Sequence, residues 1–252
     1  MAETLDLDKA FDSIGVVGLG SIGEKPEVYG GVVEKCILNN FFNSKVTFDV
    51  DKKGMRDILK TIEISEDTSN LLVILTEIQN KIGNYFGGDC DDNLKRFDAY
   101  MTSGFKCSLS DLKNKRVAQC AEKASVAQNI LLAIIQTGLI KKFNSNFVSS
   151  KLNNNPHAFI LLESKEQEGT SYIFDIENPS TIILPDGTKK TFVGVYPISR
   201  EQLIDFYNGK SIKLKSILHG KNGMKETGVD RFYGNEAVKL PTFPTDQDSG
   251  GR

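Results

Sequence analysis

The chain of 252 residues has no tryptophan, two histidines and four cysteines. Two imidazoles, His157 and His219, are too few for a histidine-rich metal site. The cysteines, Cys36, Cys90, Cys107 and Cys120, include no CxxC pair. A domain this large needs no covalent staples, so neither disulfides nor a zinc site is expected. No apolar run approaches the length that spans a bilayer. No charge of one sign dominates, and a formal net charge of -2 argues against an electrostatically driven nucleic-acid binder. The first residues, Met-Ala-Glu-Thr-Leu-Asp-Leu-Asp, are acidic and polar, unlike a secretory signal. The expected setting is cytoplasmic; secretion as an effector by a route without a cleaved signal stays open.

What is present suits one large domain, or one domain with an appended subdomain, since 39% of residues are hydrophobic and 25% charged. Helical spacing runs from Val28 to Phe42, followed by a strand over 45–50 and a short helix over 54–63. Apolar residues at helical spacing predict helices over 70–86, 93–101 and 118–136, the last stopped by Gly138. Strands are expected over 157–163, 171–176, 181–184 and 190–196, the last two joined by Pro185-Asp186-Gly187-Thr188. Ser199 with Gln202 forms a capping box for a helix that Gly209 ends. Helices first and antiparallel strands afterwards describe an α+β fold. Three segments follow: an N-terminal extension or subdomain over 1–65, a core over 66–210, and a C-terminal extension with a mobile tail over 211–252.

Three residues carry the chemistry. Cys120 falls in the first turn of an Ala-rich helix, where unpaired N–H groups and the helix dipole favour a thiolate. His157 opens one strand and Asp175 closes the next. A hairpin centred on Glu166 sets Leu161 opposite Ser171, Phe159 opposite Ile173 and His157 opposite Asp175. Opposed residues share a face, with Cβ atoms about 4.5–5.5 Å apart. The imidazole would then take the thiol proton, and the carboxylate would orient the ring. Taken singly, each residue has a plainer reading: a core thiol, a structural strand-end histidine, a turn-forming aspartate before Asn178-Pro179. The combination is what points to a thiol acyl-transfer site.

At these residues the chain resembles the transglutaminase-like family of the papain-like cysteine protease superfamily. The resemblance rests on Gln119-Cys120-Ala121-Glu122-Lys123-Ala124, Pro156-His157-Ala158-Phe159, and Tyr172-Ile173-Phe174-Asp175 with Asn178-Pro179, in that order and spacing. It covers roughly 66–200, a little over half the chain. It implies a helical lobe bearing the catalytic cysteine, packed on an antiparallel sheet bearing the histidine and aspartate. It also implies a Cys-His-Asp triad acting on protein or peptide amides as a peptidase, deamidase or transglutaminase, with no cofactor, metal, nucleic acid or membrane. Family members often place an aromatic residue, frequently tryptophan, near the cysteine as an oxyanion donor, and this chain has none. The Cys120 backbone N–H remains for that role, with Asn114 and Gln119 as side-chain candidates.

Two other readings compete. A non-catalytic protein-binding module of the same fold would keep the three residues as a relic. A dinucleotide-binding protein would use Gly18, Gly20 and Gly23, a GxGxxG after an apolar run, with Asp49 near the place of a ribose-binding acid. Pro26 and Gly30-Gly31 disturb the helix that this motif needs. Cys36 and Cys107 read as core. Cys90 lies among acids that disfavour its thiolate, and its loop lacks EF-hand spacing. His219 is the other candidate base.

Overall fold

The computed structural model describes residues 5–14, 16–17, 26–41, 44–65, 68, 70–87, 93–113, 117–153, 155–183, 189–217 and 230–234. Its elements in chain order begin with α1 (Leu7–Phe11), β1 (Val16–Val17), β2 (Glu27–Gly30), β3 (Val32–Val33), β4 (Lys35–Phe41), β5 (Ser44–Asp49) and α2 (Lys52–Leu59). There follow α3 (Leu71–Phe86), α4 (Asn93–Thr102), β6 (Lys106–Ser108), α5 (Leu109–Leu112) and α6 (Cys120–Thr137). The last part holds β7 (Phe143–Leu152), β8 (Asn155–Ser164), β9 (Ser171–Phe174), β10 (Ser180–Ile183), β11 (Lys189–Phe192), β12 (Val195–Ile198), α7 (Arg200–Tyr207), β13 (Ile212–Lys215) and β14 (Asp230–Tyr233). The fold is thus mixed α+β.

Helix α6 is the centre of the packing. Every residue from Glu122 to Leu131 is buried, as expected of a helix covered on all sides. Its buried polar side chains hold neighbouring strands through their backbones. Asn129 accepts from Val33 N at 2.7 Å and donates to Val33 O at 2.9 Å. Gln128 donates to Ser145 O at 2.9 Å and accepts from Ser145 Oγ at 2.7 Å. Each pairing satisfies a group that would otherwise be stranded in an apolar core. Gly138, at φ 86°, ends the helix in the left-handed region.

The main sheet has seven strands in the order β12-β9-β8-β7-β14-β13, with β2 added to β7, and its pairings are antiparallel. It draws on the N-terminal, central and C-terminal parts of the chain. It curls into a nearly closed barrel, because Ile217 N donates to Val195 O at 2.8 Å and brings the end after β13 to β12. Alternation along the strands gives two apolar layers. Ala158, Ile160, Leu162 and Phe174 share a core with α6. Phe159, Leu161, Ile173, Tyr196 and Tyr233 form the other, with Leu203 and Phe206 of α7. A second sheet, β4-β5-β6, flanks this body.

Three sequence expectations are corrected. Residues 28–41 form strands β2, β3 and β4, not a helix; Gly31 at φ 87° breaks the run, and Val28, Val32 and Val33 favour extended backbone. The central strand β7 was not expected, because Asn144, Ser145, Asn146, Ser149 and Ser150 are poor strand formers by composition. Burial on the helix and pairing with β8 override that preference. Finally, β8 and β9 pair as Leu161↔Ile173 and Ile160↔Phe174, two residues away from the expected register. A shift of two preserves the face, so His157 and Asp175 become diagonal neighbours rather than directly opposed.

Candidate active site

Cys120 is the first residue of α6 and is half-buried. The helix start is fixed from below by a buried polar cluster. Glu122 Oε2 accepts from Gln119 N at 3.2 Å, an N3 carboxylate reaching back to the cap. Glu122 Oε1 accepts from Arg96 Nε at 2.7 Å and Tyr100 OH at 3.0 Å, and lies 2.6 Å from Arg96 Nη2. Arg96 Nη1 donates to Gln119 Oε1 at 2.6 Å. Arg96 and Tyr100 come from α4, so that helix anchors the start of α6.

His157 stands near the start of β8, on the face carrying Phe159, and is buried. Its Nε2 is 2.8 Å from Asp175 Oδ2. The Cys120 sulfur bears on the same ring electrostatically. With Nε2 committed to Asp175, Nδ1 is the nitrogen left for the thiol. Asp175, fully buried just beyond β9, gathers further donors. Tyr233 OH donates to Oδ2 at 2.9 Å. Asn178 donates its backbone N to Oδ1 at 3.2 Å, and its Nδ2 lies 3.3 Å from Oδ1 and 3.2 Å from Oδ2. Asn178 Nδ2 is also 3.3 Å from His157 Nε2; both are donors in this arrangement, so the amide serves the carboxylate.

The electrostatics follow from this packing. Burial of His157 works against its proton, but the Asp175 carboxylate and then the Cys120 sulfur outweigh it and hold the imidazolium well above the ordinary histidine value. Burial likewise opposes an ionised Asp175, yet the His157 charge and the hydrogen bonds from His157, Tyr233 and Asn178 hold its carboxyl below the ordinary value. The two shifts describe one coupled pair that favours imidazolium with carboxylate.

The loop after Asp175 is tied at two further points. Glu177 pairs with the buried Lys123 of α6 at 2.6 Å. Gly194 N–H donates to Gln79 Oε1 at 3.2 Å, and Asp175 N donates to Gly194 O at 2.7 Å. A Cβ on Gly194 would strike the carbonyl oxygens of Asp175 and Asn178, so this close approach requires glycine.

Cys120, His157 and Asp175 are therefore brought together. Gln119 sits beside them with its amide oxygen held by Arg96. Asn114, His219, Cys90, Gly18, Gly20 and Gly23 lie outside the described residues. Asp49 ends β5 and pairs with Lys106 at 2.9 Å. The chain from Glu27 onward is strand, not the helix a dinucleotide phosphate would need. Cys107 is buried beside Ser103 Oγ at 2.7 Å. Cys36 is buried as well, and that burial, with the Glu122 charge, pushes its thiol up to about 12. Among the described residues no group of three or more His, Cys, Asp or Glu is placed to hold a metal, and no helix is long and apolar enough to cross a membrane. A cavity of about 640 Å³ lies at the other end of α6, walled by Leu71, Ile74, Leu139, Ile140 and Phe143.

Sequence reasoning missed Arg96, Tyr100, Lys123, Glu177, Gly194 and Tyr233. One signal was available: a glutamate three residues after Gln119 marks the N3 position of a helix starting at Cys120. The others act across distant elements and have no local pattern. Comparison of the chain with family models, curated proteins and solved structures gave no significant match.

Proposed function

We propose that this chain is a cysteine-dependent acyl-transfer enzyme that acts on protein or peptide amide bonds through a thioester on Cys120. One observation carries the reading. A single buried imidazole is hydrogen-bonded to a buried carboxylate, and a half-buried thiol at a helix start bears electrostatically on the same ring. The antiparallel, barrel-like sheet with the histidine and aspartate at its rim, and the packed helix that starts with the cysteine, support a papain- or transglutaminase-like core.

With the thiol's proton already held on His157 as imidazolium, the Cys120 sulfur attacks the amide carbon to form an S–C bond. The negative charge on the substrate oxygen faces the N–H groups of the helix start, with Gln119 and Asn114 as further candidate donors. His157 then gives its proton to the departing amine as the C–N bond breaks. Water or an amine loses a proton to His157, attacks the thioester carbon and expels the sulfur. Asp175 keeps the ring in the tautomer that presents Nδ1 to the thiol throughout. Water makes the reaction hydrolysis or deamidation, and an amine makes it transamidation. No organic cofactor or metal enters, and the substrate is a protein or peptide.

Iodoacetamide labelling with site mapping separates this reading from a binding module that retains an idle triad. Cys120 should alkylate far faster than Cys36 or Cys107 near neutral pH. His157→Ala should slow Cys120 by about 100-fold or more, the low end of general-base effects. Uniform slow labelling of all three thiols would sink the enzyme reading.

A further inference from the structure

We propose that Tyr233 is a positioning residue of the Cys120 site, its phenol fixing the Asp175 carboxylate in the orientation in which it grips His157. The inference rests on the triad reading above. It assigns a role to a strand close to the C-terminus, far in sequence from the three residues it serves.

The geometry begins with how the tyrosine itself is held. Tyr233 is fully buried, and its backbone is paired on both sides, opposite Ile212 and opposite Leu152. Its ring stands nearly edge-on to Phe159 at 5.0 Å and to Tyr196 at 5.4 Å. A ring fixed on two edges aims its hydroxyl at one place, and that place is Asp175 Oδ2 at 2.9 Å. The same oxygen receives His157 Nε2 at 2.8 Å, while the backbone N–H of Asn178 takes Oδ1. Both carboxylate oxygens are thereby tethered, and rotation of the carboxyl group would break a bond at either end. The hydroxyl is also a dependable donor. Burial first, and the neighbouring carboxylate next, keep Tyr233 protonated well above the ordinary tyrosine range.

Tyr196 offers an internal control. It lies in the same ring cluster, but its hydroxyl donates to Asn178 O at 3.1 Å and accepts from Arg231 Nε at 3.3 Å. Removing that oxygen takes no direct donor from Asp175 and acts on it only through Asn178.

The test follows Cys120 in the full chain with 2,2′-dipyridyl disulfide, a probe that reports thiolate–imidazolium pairs in acid, with the modified residue mapped by mass spectrometry. Tyr233→Phe keeps the ring and removes one donor. We expect Cys120 to react about tenfold more slowly, the effect of losing one hydrogen bond to a charged group. We expect the acid limb of the profile to move upward by about half a pH unit or more, because the carboxylate loses a bond that favours its charged form. Tyr196→Phe should move that limb by less than half as much as Tyr233→Phe does. A Tyr233→Phe limb that superimposes on the wild type overturns the inference and leaves the triad standing. A wild-type Cys120 with the pH dependence of an unassisted thiol overturns both. If Tyr233→Phe does not fold, Asp175→Asn reads the same bond from its other end. The ultraviolet ionisation curve of the tyrosines should then gain one phenol at lower pH than in the wild type, and an unchanged curve would overturn the inference.

Discussion

Two buried polar clusters meet at Cys120, and they differ in what their protons can do. Beneath the helix start, Arg96 is bonded to Glu122 and Gln119, with Tyr100 on the same Glu122 oxygen. A guanidinium does not give up its proton in water at any working pH, so this cluster holds and does not exchange. At the rim of the sheet, His157 and Asp175 share a proton that can move. The comparison teaches that rigidity and reactivity are supplied by different elements. Helix α4 anchors the helix start that carries Cys120, and the β8–β9 pair with its following loop holds the imidazole and carboxylate that the proposed reaction uses as its base.

The strongest way to break that division is to remove Arg96. Arg96→Met would leave the carboxylate of Glu122, itself fully inaccessible, without its cation. Uncompensated buried charge of this kind costs about 3–5 kcal/mol, so the urea midpoint should fall steeply. Arg96 also interacts electrostatically with Cys120, so the acid limb of Cys120 reactivity should move upward, while the further shift caused by Tyr233→Phe should persist in the folded protein that remains. Loss of the Tyr233→Phe shift in the Arg96→Met background would show that the two clusters are one.

A smaller change sharpens the rim. Gly194→Ala should force the Asp175–Asn178 loop outward, since the added methyl overlaps two carbonyl oxygens. Overpacking of this sort costs about 1–3 kcal/mol, and Cys120 labelling should slow as His157 loses its orienting carboxylate. The same substitution at Gly83, inside α3 with nothing within 4 Å of the new methyl, is the control. There it should stabilise the protein by roughly 0.5–1 kcal/mol without touching the labelling rate. Equal outcomes at the two glycines, by urea melts and labelling, would remove the claim that the loop is positioned by close approach.

How much of this was legible in the sequence depended on distance along the chain. Helices α3, α4 and α6 lie close to where apolar spacing put them, and α7 carries the Ser199–Gln202 box. Cys120, His157 and Asp175 were readable because a helix start and a hairpin are local, and because a strand face repeats every two residues. That parity survives a register shift of two, so the pairing was right about the face and wrong about the neighbour. Strand β7 was hidden because its serines and asparagines look like loop until Gln128 and β8 give them partners. Tyr233 was hidden for a stronger reason: nothing near it in sequence hints at a carboxylate 58 residues away.

The gentlest probe of the comparison is pH itself. The folded protein holds His157 protonated above its ordinary value near 6.5, so the pair contributes fully below that pH and loses its contribution as pH rises through the raised value. It holds Asp175 ionised below its ordinary value near 3.8, so that contribution is present above 3.8 and is lost as pH falls through the depressed value. The pair therefore stabilises the fold most in the window between those two ordinary values, with a decline on the alkaline side set by His157 and on the acid side by Asp175. Urea midpoints across pH should show both limbs in the wild type. His157→Gln should flatten the alkaline limb, because a neutral amide at that position has no proton to lose. Arg96→Met combined with Glu122→Gln should lower the whole curve and leave the alkaline limb in place, because neither replacement has a proton to trade. An alkaline limb that persists in His157→Gln would mean that some other group governs it, and the contrast between a cluster that holds and a cluster that exchanges would fail.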